Sequence, residues 1–172
     1  MTNEQIKAFV LEHHAEMQEK GFWKNKDLNT KIALIIGEVY ECLEAHRKGN
    51  ICRTDINKFT GANFETNLIR DRFETAVKDT VQDEIADVML RLLDLMAYLE
   101  MFDFEVGNCY FSDNFSEIVL GLNKILLDST ENNKRLNLAF SFVSQMDIFS
   151  WEHVQAKKLY NATRPFMFGK KY

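Results

Sequence analysis

Glu38 and Glu41, and later Glu84 and Asp87, are carboxylate pairs spaced three residues apart in stretches that are otherwise apolar. That spacing puts both members of a pair on one face of a helix. Ile32, Leu34, Ile35, Ile36, Val39 and Leu43 surround the first pair, and Ile85, Val88, Met89, Leu90, Leu92, Leu93 and Leu95 the second. Four carboxylates in such company are costly to ionise unless positive charge compensates them. Lys31 and Arg91 share these faces but would leave the set negative, whereas one or two Mg²⁺ would neutralise it. A hard cation held by oxygen ligands suits phosphate chemistry. The competing reading is structural, with the acids ion-paired to Lys31, Arg91 and other cations across a helical bundle.

The donor types narrow the metal. A carboxylate-bridged di-iron bundle needs a Glu-x-x-His step, and no histidine here lies three residues after a glutamate. His13, His14, His46 and His153 are scattered and read as ordinary helix residues. Oxygen ligation without imidazole or thiolate selects Mg²⁺ or Mn²⁺.

Helices must position these groups. Ile6, Phe9, Val10, His13 and Met17 recur at helical spacing, so residues 3–20 form an amphipathic helix that Gly21 ends. After a loop at 22–27, Asn29 or Thr30 caps a second helix reaching about residue 48, where Gly49-Asn50 stops it. A mixed stretch at 51–78 holds a short helix over 63–77. Asp79 or Thr80 caps the next helix, which runs to about residue 102. Helices over 113–128 and 132–145 follow. Ser150 caps a last one to about residue 163, closed by Arg164-Pro165.

On the helix from Thr80, the residues Glu84, Asp87, Arg91, Asp94 and Tyr98 line one polar stripe while nearly every other position is apolar. An ordinary surface helix has the reverse proportions. A polar stripe on a buried helix implies an internal polar site or a polar helix–helix contact. Asp94 would orient Arg91 or take part in an outer shell, with structural pairing the favoured role.

The chain has 172 residues, 46% hydrophobic and 27% charged, with one proline and seven glycines. That composition is globular and reads as all-α, a single domain over residues 1–172. A net charge of -5 argues against a nucleic-acid polymer as partner. No apolar run reaches membrane-spanning length and the N-terminus lacks a signal-peptide pattern, so a cytoplasmic protein without membrane contact is expected. Three cysteines without metal-ligand spacing read as free thiols.

Gly37-Glu38-Val39-Tyr40-Glu41-Cys42-Leu43-Glu44-Ala45 resembles the first acidic motif of the MazG-like all-α nucleoside triphosphate pyrophosphohydrolases. That group also includes dCTP pyrophosphatases, dimeric dUTPases and phosphoribosyl-ATP pyrophosphohydrolases. Asp83-Glu84-Ile85-Ala86-Asp87, continued by Val88-Met89-Leu90-Arg91, resembles the second motif. Lys158-Leu159-Tyr160-Asn161, Arg164-Pro165 and Gly169-Lys170-Lys171-Tyr172 resemble the C-terminal signature. The chain departs from the pattern in its long interval at 50–78, its extra helices within 105–149, and Phe168 where many relatives carry histidine.

The resemblance implies a four-helix MazG-like core with insertions at about 50–78 and 105–149. It implies Mg²⁺ on Glu38, Glu41, Glu84 and Asp87, and hydrolysis of the α–β phosphoanhydride of a (deoxy)nucleoside triphosphate to the monophosphate and pyrophosphate. Glu38 or Glu41 would serve as general base. Lys31, on the Glu38 face, would reach a phosphate, and Lys158, Asn161, Arg164 and Lys170 would hold phosphate or sugar. Lys157 and Lys171 read nearly as well as part of a solvated basic C-terminus. Trp23 would stack on the base and Tyr98 reach the ribose; the competing readings are core or lid packing for Trp23 and a hydroxyl capping a buried network for Tyr98. A homodimer or homotetramer is implied by analogy. The alternative is a non-catalytic helical binding or regulatory protein that keeps the fold.

Overall fold

In the computed structural model, residues 1–25, 27–59, 66–128 and 131–165 are described, with side chains from residue 69 onward in the third span. The chain is helical throughout these spans: α1 Asn3–Glu19, α2 Leu28–Arg47, a 3-10 turn at Ile56–Phe59, α3 Thr66–Ala76, α4 Val81–Tyr98, α5 Phe115–Leu127, α6 Asn132–Ser144 and α7 Trp151–Ala162. Among the described residues, no helix is long and apolar enough to cross a membrane.

The helix ends follow from local chemistry. Thr2 and Gln5 form a reciprocal capping box at the start of α1. At its other end Gly21 takes φ 84, and Phe22 N–H donates back to Met17 O at 3.0 Å. This left-handed exit turns Phe22 and Trp23 back over the helix. The cap of α2 is Asp27, whose carboxylate accepts from Thr30 N–H at 2.8 Å; the expected caps, Asn29 and Thr30, lie inside the helix. An aspartate one position before the helix satisfies its exposed N–H groups better than residues already within it. Thr80 caps α4 as expected. The helix stops at Tyr98 instead of running to 102, because Glu100 adopts φ 56 and Met101 N–H bonds back to Met96 O at 2.9 Å. Ser150 caps α7.

Helix α4 is the hub. Thirteen of its 18 residues are buried, and α1, α2, α6 and α7 all pack on it. Val88, Met89, Leu92, Leu93 and Met96 are sealed from solvent inside the main core. Helix α5 packs on α2 and α6, extending that core. The 51–78 interval builds a second, smaller cluster of Ile56, Phe59, Phe73 and Val77 against Ala156 and Tyr160 of α7. Phe73 stacks on Tyr160 at 4.5 Å and 10°, and Tyr160 donates its hydroxyl to Glu74 at 3.2 Å. That satellite cluster roofs one face of α7, and the roof matters for the site beneath it.

Candidate metal centre and adjoining cleft

Helices α2 and α4 form the most extensive helix pair of the fold, and their acidic faces converge. Glu38, Glu84 and Asp87 each offer a carboxylate oxygen within 4.8 Å of the others. Glu38 and Glu84 are buried, while Asp87 is half-buried. Glu41 stands outside this triad. It is exposed, yet close enough that its charge raises the pKa of both Glu38 and Glu84. The departure from the expected set of four has a simple cause: residues three apart differ by about 60° around a helix. With Glu38 turned inward, Glu41 therefore drifts to the rim.

Two cations serve the cluster. Arg91 Nε donates to Glu38 Oε1 at 2.7 Å. Lys157 Nζ lies 2.7 Å from Asp83 Oδ1 and 2.7 Å from Asp87 Oδ2. Lys157 is buried, which corrects its reading as a solvated C-terminal lysine. The Phe73 and Tyr160 rings lie 5.7 and 5.8 Å from its ammonium, so the satellite cluster shuts it from water. Burial opposes its charge, but Asp87 and Asp83 outweigh that cost and hold the ammonium protonated. Burial pushes the Asp83 carboxyl up to about 6 against the pull of Lys157, leaving the pair ionised at neutral pH.

Glu84 is different. It is 6% exposed, and none of the described side chains donates to it. Burial first, and then Asp83 and Asp87, push its carboxyl up to about 8 against Lys157. A buried acid with neighbouring carboxylates and no donor is what a cation ligand looks like before the cation arrives. At the head of α4, with Asp83 and Glu84 in the first turn, the positive end of the helix dipole favours the ionised carboxylates but does not replace a cation between them. Three carboxylate oxygens with no sulfur or imidazole among them fit a hard cation such as Mg²⁺ or Mn²⁺.

Beside the triad, a cleft of about 60 Å³ is lined by Asp87, Arg91, Asp94, Lys31, Asn161 and His13 with several apolar side chains. It has room for a few waters. Trp23 closes one wall. The ring is 6% exposed, its indole N–H donates to Asp94 at 3.0 Å, Tyr98 stacks on it at 4.3 Å, and Lys31 Nζ lies 4.5 Å from the ring centre. Trp23 is thus committed to its neighbours and does not offer a bare face to a base; Tyr98 is spent on the same stack. Lys31 also donates to Phe22 O, and burial lowers its pKa, with Asp94 opposing and Arg91 adding to the shift.

Asp94 does not orient Arg91. It accepts from Trp23 and pairs with His14, whose Nδ1 lies 2.6 Å from Oδ1. His14 is therefore part of the cleft wall's support instead of an incidental helix residue. His13 next to it is buried, with its Nδ1 lacking a partner among the described residues, and burial lowers its pKa.

The C-terminal residues divide. Asn161 is buried and lines the cleft. Lys158 points the other way, to Glu12 at 3.0 Å and Glu16 at 2.8 Å on α1, so it does not face the cluster. Arg164 donates to Asn161 Oδ1 at 3.4 Å and lies over the Tyr160 ring. Lys170 lies outside the described residues. Sequence reasoning missed Asp83 and Lys157 as cluster members. A signal existed for both: Asp83 is four residues from Asp87, and Lys157 four from Asn161, so each shares a face with a residue already singled out.

No protein-family model, curated protein or solved structure matches this chain.

Proposed function

We propose that this chain is a Mg²⁺-dependent nucleotide pyrophosphohydrolase of the MazG-like type, cleaving the α–β phosphoanhydride of a (deoxy)nucleoside triphosphate to the monophosphate and pyrophosphate. The observation that carries the reading is the convergence of Glu38, Glu84 and Asp87 within 4.8 Å, beside a cleft that holds Lys31, Arg91 and Asn161. The motif resemblance at residues 37–45 and 83–91 supports the same assignment, as does the all-helical fold.

In this reading Glu38, Glu84 and Asp87 hold the cation. When bound, Mg²⁺ supplies charge neutralisation for the phosphate oxygens. The chain's own residues do the rest. Lys31 exchanges the Phe22 carbonyl for a phosphate oxygen, and Asn161 offers its amide from the lining of the same cleft. Arg91 anchors Glu38 so that it stays in register with Asp87. Glu41, exposed one turn along from Glu38 and without a donor among the described residues, accepts the proton of the attacking water at its carboxylate. Water reaches Glu41 from the rim, where its side chain is exposed. The protein acts in the cytoplasm, as a homodimer or homotetramer.

One observation favours a second reading. Glu38 and Asp87 each already have a cationic partner, Arg91 and Lys157, as in a non-catalytic helical bundle whose acidic pairs are ion-paired. Pyrophosphate release from canonical, deoxy and damaged nucleoside triphosphates, assayed with Mg²⁺ and with Mn²⁺, decides between them. Turnover of at least one substrate is expected. No release from any of them removes the catalytic reading.

A further inference from the structure

The acidic cluster is larger than the triad just described. Asp79, Asp83 and Glu84 form a second group whose oxygens also lie within 4.8 Å of one another, and Glu84 belongs to both. Five carboxylates in two triads sharing one member have the charge for two divalent cations. Lys157 intervenes between them: its ammonium contacts Asp83 of one triad and Asp87 of the other, each at 2.7 Å.

We propose that Lys157 is a resident cation that stands in for a second metal ion and makes the cluster a one-cation site. The inference rests on the proposed cation site at Glu38, Glu84 and Asp87. Three observations lead to it. Both Asp83 oxygens are already engaged, Oδ1 by Lys157 and Oδ2 by the Asp79 N–H at 3.0 Å, and the exposed Asp79 carboxylate is paired with surface Lys78 at 2.6 and 2.7 Å, so Lys157 is the buried cation of the second triad. Lys157 cannot swing away, since it is 4% exposed and lies against the Phe73 and Tyr160 rings. Glu84 alone among the buried acids of the cluster has no donor among the described side chains, and it is the member the two triads share, so the uncompensated charge lies where a single ion would sit. A lysine here has a further effect: a fixed single charge neutralises Asp83 at all cation concentrations, so the head of α4 stays folded before any metal arrives.

Removing the ammonium should reopen the second triad. Mn²⁺ alone is the probe, titrated into the full chain and followed by electron paramagnetic resonance of the free ion. The wild-type chain is expected to bind one Mn²⁺ and Lys157→Arg one, whereas Lys157→Met and Lys157→Gln bind two. In the two neutral variants, thermal stability should fall in EDTA and recover in excess Mn²⁺, a rescue that a merely space-filling lysine would not produce. Two ions on the wild-type chain overturn the proposal, as does one ion on a folded neutral variant. If neither neutral variant folds in Mn²⁺, the rescue has failed and the proposal falls with it. No binding by the wild-type chain removes the cation site itself. One-ion binding without pyrophosphate release leaves the role of Lys157 standing and removes only the catalytic reading.

Discussion

Arg91 reaches from α4 to α2 and donates its Nε to Glu38 Oε1 at 2.7 Å, joining residues 53 positions apart. The contact is asymmetric in environment. The Glu38 side chain is 9% exposed and that of Arg91 27%, so the acid depends on the pair more than the base does. Burial raises the Glu38 pKa and Arg91 lowers it in return.

Removing the charge from Glu38 should therefore separate activity from folding. Glu38→Gln keeps the shape and an acceptor for Arg91, and its unfolding free energy should change by no more than about 1 kcal/mol. Cation affinity should fall at least ~10-fold, as loss of a ligand exceeds the effect of an outer-shell substitution. Arg91→Ala should do the opposite, destabilising by about 1–3 kcal/mol because a buried carboxylate loses its donor. Urea midpoints with Mn²⁺ binding check both; a Glu38→Gln variant that binds the cation as tightly as wild type would remove Glu38 from the ligand set.

Glu84 makes the metal-free protein pH-sensitive with a defined sign. Its carboxyl is raised from 4.5 to about 8 on folding, so between those values the native state holds a proton that the unfolded state has released. Stability then falls as pH rises through this window. Asp83, raised to about 6, acts in the same direction lower down. His13 and His153, both lowered by burial, act oppositely below about 6.5, so the clean interval is 6.5 to 8. Denaturation in EDTA should show stability declining across it, and Glu84→Gln should flatten the slope. A rise in stability with pH there would contradict the Glu84 assignment.

Cation binding should carry the reciprocal signature. A metal must displace the Glu84 proton, so affinity should climb with pH and level off above about 8. Calorimetry in buffers of different ionisation enthalpy at pH 7 should report close to one proton released per ion. Binding without proton release would place the ion away from Glu84.

Asp94 is predicted to be a support and not a ligand. Asp94→Ala leaves the buried Trp23 indole N–H and His14 without their acceptor, a loss of about 1–3 kcal/mol. The Trp23 contribution to fluorescence should shift to longer wavelength as the wall loosens, while Mn²⁺ stoichiometry stays unchanged. Altered stoichiometry would show that Asp94 belongs to the cluster.

Lys31 is predicted to act on substrate affinity. Lys31→Met keeps the apolar stem packed on Trp23 but removes a charged donor worth about 1.5–3 kcal/mol. KM for the triphosphate should rise about 10-fold or more with kcat less affected. A fall confined to kcat would contradict a phosphate-holding role.

Much of this was legible in the residues alone because helical geometry is local. The apolar repeat of α4, the Thr80 and Ser150 caps and the shared faces of Glu38 with Glu41 and Glu84 with Asp87 depend only on neighbours within a turn or two. The all-helical class followed from the same regularity. What one helix presents to another is not local. Lys157 and Lys158 are adjacent and chemically identical, about 100° apart around α7; only the packing of α4 on one side and α1 on the other sent the first to Asp83 and Asp87 and the second to Glu12 and Glu16. The same packing turned Glu38 inward and left Glu41 at the rim, and it gave Asp94 the structural partners His14 and Trp23 in place of Arg91. Sequence spacing sets the angle between side chains on one helix, but their partners depend on the rotation of that helix against its neighbours, which burial of the whole core decides.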